Sequence, residues 1–163
     1  MKQVMKILLL NPYIDATHDV AKLFQKRGIG LLISGDPIEA WQILQLHGST
    51  IELAIVHREI PPADSGMSFI EKVKKDSTQS DLPIILSSEK WEDLNFAKHQ
   101  QSAQGVNAYI KYPFSETGLF ELIEGVVGAG HAEGQPKASQ LVLEDAAKIF
   151  KKNEKEVAFQ DLL

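Results

Sequence analysis

The chain has 163 residues, 44% of them hydrophobic and 24% charged, which suits one globular domain with an appendage. Its net charge of −5 and pI near 5.5 argue against non-specific nucleic-acid binding, and no apolar run approaches the length of a membrane span. It has no Cys, which excludes a disulfide scaffold, a thiol nucleophile and thiolate metal sites, and which fits a cytoplasmic location.

Apolar runs alternate with segments of helical period up to about Gly128. The run Val4–Leu10, with Lys2 and Lys6 around Met5, reads as a buried strand and not as a signal peptide. It ends at Asn11-Pro12. A helix follows over 16–27, with Val20, Leu23 and Phe24 inside, Asp15 as its expected N-cap and Gly28 closing it. Gly30–Ser34 reads as a second strand. Asp36 and Pro37 then start a helix with Ala40, Trp41, Leu44 and Gln45 on one side, closed by Gly48.

Ile51–Val56 is a third apolar run, followed by a polar loop over 57–66 and a helix marked by Phe69, Ile70 and Val73. Asp64 is expected to be a turn or cap residue of that loop. Leu82–Leu86 reads as a fourth strand, and Ser87-Ser88 precede a helix carrying Trp91, Leu94 and Ala97. Val106–Ile110 is the fifth strand, and Ser115 caps a helix with Leu119, Leu122, Ile123 and Val126 inside.

Strands alternating with helices through short loops imply an α/β fold with a parallel sheet covered on both faces. Right-handed crossovers leave the doubly wound, flavodoxin-like order 2-1-3-4-5 as the natural choice for five strands. Sites on such sheets sit at the carboxyl ends of the strands. Residues 1–128 form this domain, 129–139 read as a Gly-rich linker, and 140–163 as an amphipathic C-terminal helix with Leu143, Ala146, Ala147, Phe150 and Val157 on one stripe.

The segments KILLLNP, ELAIVHREIPPADSGMSFIEKVK, LPIILSS and GVNAYIKYPF resemble, motif by motif, the receiver domain of bacterial response regulators, over roughly Lys6–Gly128. The resemblance implies a site with an acidic pair after strand 1, a phosphoacceptor Asp ending strand 3, a Ser or Thr ending strand 4, and a Lys before the Pro that follows strand 5. In this sequence Asn11 and Pro12 stand at the acidic pair, His57 at the phosphoacceptor, and Tyr112 at the Lys, with Lys111 one residue earlier; only Ser87 has the expected type. Hard Mg²⁺ prefers carboxylates, so Asn11 and Pro12 are poor ligands for it. The resemblance also implies a cis Tyr112-Pro113 bond.

The chain therefore reads as a degenerate receiver, or pseudo-receiver. It is expected to be no enzyme, to hold no metal or cofactor, and to keep His57 packed in a closed site. The function so implied is a phosphorylation-independent protein-interaction module in bacterial signalling: a scaffold, an adaptor or a regulator's input domain. Candidate contact residues are Trp91, Tyr109, Lys111 and Tyr112, with Phe150 on the tail as a candidate for self-association. Two other readings stay open: a conventional phosphoacceptor with a displaced metal site, and a small-ligand-binding flavodoxin-like domain. Walker, GxGxxG, HExxH and GxSxG motifs are missing.

Overall fold

A computed structural model describes residues 5–131; the C-terminal stripe with Phe150 lies outside the described residues. The strands are β1 (Lys6–Leu10), β2 (Gly30–Ser34), β3 (Ile51–His57), β4 (Ile84–Ser88) and β5 (Ala108–Lys111). The helices are α1 (Asp19–Lys26), α2 (Pro37–His47), α3 (Ser65–Lys75), α4 (Asp93–Gln100) and α5 (Glu116–His131), with a 3-10 turn at Gly48–Thr50. The strands form one sheet in the order β2-β1-β3-β4-β5, the doubly wound order expected from the alternation. The pairs β1–β2, β1–β3 and β4–β5 are parallel. The chain divides after Ile84 into two compact units.

In the first unit Ile7, Leu8, Leu9 and Leu10 are all buried, as are Leu53, Ala54, Ile55 and Val56. Helices cover both faces of a parallel sheet, so these strands read as continuous apolar runs. Phe24 of α1, Leu44 of α2 and Ile70 of α3 complete this core. Gln45 of α2 is exposed, not on the inner face. Gly28 has φ +75° and ends the α1 segment, a conformation glycine adopts without steric cost.

In the second unit Ile85, Leu86, Phe96, Leu119, Phe120, Leu122, Ile123 and Val126 are buried. Ser115 Oγ accepts from the Gly118 amide at the start of α5, as its capping role requires. The helix runs on to His131, so residues 129–131 are helical where the composition suggested linker.

Several boundaries differ from the sequence reading. α1 starts at Asp19, and its N-cap is His18, whose Nδ1 accepts from the Val20 amide at 3.1 Å. Asp15 instead closes a local turn with Thr17. β4 starts at Ile84 because Pro83 has no N–H for the ladder. α4 starts at Asp93, so Trp91 precedes the helix, and its inner residues are Phe96, Ala97 and His99 instead of Leu94. Glu92 is its N-cap and forms a reciprocal capping box with Asn95.

Candidate functional site

The first unit supplies the ends of β1 and β3. Asn11 follows β1 directly; its amide donates to the Ser34 carbonyl at 2.9 Å, carrying the β1–β2 pairing one residue further. Its side chain is 1% exposed. It turns back locally, with Oδ1 accepting from the Tyr13 amide at 2.8 Å. Pro12 is exposed and has no donor. The Asn11 carboxamide therefore serves a turn.

His57 is the last residue of β3 and is 0% exposed. The Tyr13 ring meets it edge-on at 5.5 Å between centroids. Its Nε2 lies 3.4 Å from Oε1 of Glu59, which is itself buried. Arg58 joins the loop together, reaching Glu59 at 2.8 Å and Asp64 at 3.2 Å. A buried carboxylate with a guanidinium partner is compensated, whereas removing the Arg would leave it costly.

The loop after His57 is tightly shaped. Ala63 and Asp64 both have left-handed backbone, with φ of 58° and 52°. That conformation costs non-glycine residues and persists only where the surroundings hold it. Ser65 supplies one hold, its amide and hydroxyl both donating to the Ile60 carbonyl. Asp64 occupies the N-cap position of α3 but its side chain reaches Arg58 instead of capping. Gly66 supplies another hold: a Cβ there would fall on the His57 carbonyl oxygen. The Pro61-Pro62 bond is cis.

The second unit supplies the ends of β4 and β5. Ser87 and Ser88 are strand residues and are both buried. Ser88 Oγ accepts from the amides of Lys90 and Trp91, which fixes the turn into α4. Its carbonyl accepts from the Tyr112 amide. Tyr112 is half-buried, packs edge-on against Phe114 at 5.3 Å, and precedes a cis bond to Pro113, as the resemblance implied.

Lys111 is exposed and points to the acidic start of α4, with Nζ 2.9 Å from Glu92 and 3.8 Å from Asp93. Trp91 is half-buried, its ring 5.5 Å from that of His99 and 6.2 Å from that of Phe96. Tyr109 corrects the list of surface candidates: it is 3% exposed. Its hydroxyl meets His99 Nδ1 at 2.9 Å and accepts from the Val106 amide at 3.1 Å. Burial pushes the phenol well above its ordinary range. Tyr109 is a core tyrosine with a satisfied hydroxyl. Trp91, Lys111 and Tyr112 remain at the surface of this unit.

Sequence reasoning missed Glu59 and Tyr13 as neighbours of His57, and Arg58 as the partner of Glu59. The signal was the charged pair in HREIPP, lodged between a buried strand and the buried Ile60.

No family model matches the chain. Over 97 residues it is 29% identical to a chemotaxis protein CheY homolog of Campylobacter jejuni, covering 60% of this chain and 72% of that protein. Among solved structures it resembles a response regulator from Desulfuromonas acetoxidans, with TM-score 0.65, 21% identity, and 76% of this chain and 97% of the other covered. A CheY-like receiver-domain protein from Methanospirillum hungatei superposes with TM-score 0.66 at 18% identity, covering 81% and 100% of the two chains. These relatives and neighbours are CheY-like response-regulator receivers, and the chain has their fold. No helix among the described residues is long and apolar enough to cross a membrane.

Proposed function

We propose that this chain is a receiver-fold signalling module that binds protein partners without being phosphorylated, and that it catalyses no reaction. The observation that carries the reading is His57. Where the resemblance places a phosphoacceptor carboxylate, the chain has an imidazole with no exposed surface, packed by Tyr13 and beside Glu59. A phosphoryl group needs an accessible acceptor and cations to stabilise the charge developing in transfer. Asn11 spends its oxygen on the Tyr13 amide and Pro12 offers no ligand.

The partner surface in this reading is the half-exposed set Trp91, Lys111 and Tyr112. An indole, an ammonium and a phenol ring supply the residue types enriched at binding hot spots or at their charged rims. The conventional phosphoacceptor function with a displaced metal site, which the sequence resemblance implies, is the competing reading. Incubation of the full chain with acetyl phosphate and Mg²⁺, followed by intact mass and peptide mapping, separates the two. The proposal expects an unmodified mass. A stoichiometric phosphoryl adduct on His57, or on any residue of the two strand-end loops, contradicts it.

A further inference from the structure

The sheet has two edges of opposite character. β5, at one edge, is four residues long, carries the exposed Lys111 and is followed by Pro113. Short length, an edge Lys and a Pro are the usual guards against strand addition. β2, at the other edge, is Gly30-Leu31-Leu32-Ile33-Ser34, with no charge and no proline. Leu31, Leu32 and Ile33 are each only half-buried.

The hydrogen-bond direction along β2 follows from its two ends. Gly30 N–H donates to the Met5 carbonyl, and the Ser34 carbonyl accepts from Asn11. The even-numbered residues therefore point their backbone groups at β1, and Leu31 and Ile33 point theirs away from it. No described residue takes up those outward groups.

We propose that β2 is a self-pairing edge, on which a second copy of this chain adds its own β2 in antiparallel register centred on Leu32. That register sets Leu31 opposite Ile33 of the other copy on both sides of the two-fold axis. Each such pair exchanges the outward N–H and C=O groups, so the polar rows match without remainder. Leu32 then faces its own copy, and Gly30 faces Ser34. Every bulky cross-strand pair is aliphatic, and no like charges meet, which is the condition for an isologous interface. An unrelated peptide could add to the same backbone row, but the uncharged strand sets aliphatic residues against aliphatic ones when it is paired with its own reversal, which favours a second copy. The surface is separate from the partner surface on the second unit, and the pairing does not depend on that reading.

The chain's lack of cysteine gives a direct test. Opposed residues of a non-hydrogen-bonded antiparallel pair have Cα atoms about 4.5 Å apart, inside the range of about 4.4–6.8 Å that a disulfide spans. Leu32→Cys in the full chain should therefore cross-link to dimer under mild oxidation. Leu31→Cys, whose own copy is the diagonal neighbour at roughly 7–8 Å, should cross-link on the order of tenfold less. Thermal melts of the reduced variants check folding. Hydrogen exchange on the unaltered chain gives an independent readout: the amides of Leu31 and Ile33 should gain protection as concentration rises. A chain that stays monomeric at the highest soluble concentration overturns the proposal. So does a dimer that leaves these amides unprotected, because its interface then lies elsewhere. Equal cross-linking at both positions refutes the register.

Discussion

The polar side chains at the strand ends of the first unit are inside, and those of the second are divided between core and surface. His57 and Asn11 have almost no exposed area, and both are engaged by their own loops. In the second unit Ser87 and Ser88 are buried, but Trp91, Lys111 and Tyr112 keep part of their surface in water. The difference separates two tasks that a phosphorylated receiver must couple. A reacting site needs an accessible acceptor; a docking surface needs only shape, rings and charge. In the proposed reading the buried His57 fills the position of the chemistry, and Trp91, Lys111 and Tyr112, which keep part of their surface in water, serve docking.

The sharpest way to break the closed description of the first unit is Gly66→Ala. The added methyl would meet the His57 carbonyl, backbone against backbone, where nothing flexible can give way. A loss of about 3 kcal/mol or more is expected, read from denaturant unfolding. Retained stability would mean that the loop is looser than described.

His57→Asp comes next. It installs the acceptor carboxylate implied by the resemblance, but in a place without solvent and beside the buried Glu59. Burying a second carboxylate there should cost roughly 2–3 kcal/mol, and the variant should still take no phosphoryl group from acetyl phosphate. Phosphorylation of this variant would show that one substitution alone had closed the site.

Tyr109→Phe tests the core side of the second unit. It removes the hydroxyl that satisfies the Val106 amide and meets His99, for an expected loss of about 1–2 kcal/mol. The pH dependence has a definite sign. The phenol's folded-state value is raised above the ordinary 10.0, so the folded chain holds its proton after the unfolded chain has released it. Its contribution is complete below pH 10.0 and is lost as pH rises above that value. Parent stability should fall more steeply there than that of Tyr109→Phe, in melts taken across the alkaline range.

The smallest stability effect belongs to Lys111→Ala. Its ion pair with Glu92 is exposed on both sides, and such pairs contribute roughly 0–1 kcal/mol. Partner affinity, not melting temperature, should respond. A large drop in stability would move Lys111 from the docking surface to the structural framework.

The alternation of apolar runs with helical segments made the sheet order legible, because a parallel doubly wound sheet leaves few arrangements. Burial within the fifth strand was not legible. Period-2 reasoning would put alternate residues outside, yet helices cover both faces of such a sheet, so Ala108, Tyr109 and Ile110 are all inside. Tyr109 reads as a surface anchor on its residue type, an aromatic ring near Lys111, and the sequence does not show that its hydroxyl is taken up by His99 and Val106. The start of α4 was hidden by an uncommon Glu92–Asn95 capping box, which displaced Trp91 from the helix. At the strand ends the residue types could be read, but their partners could not. The turn of Asn11 onto Tyr13 and the packing of Tyr13 on His57 depend on loop geometry that no short motif encodes.

The separation of a filled site from an available surface is tested most directly by amide and indole NMR spectra of the full chain, recorded with and without acetyl phosphate and Mg²⁺. Superimposable spectra are expected at Tyr13, Arg58, Lys111, Tyr112 and the Trp91 indole. A shift at Tyr13 and Arg58 accompanied by one at Trp91 and Lys111 would contradict that separation, because the chain would then be a working phosphorylation switch.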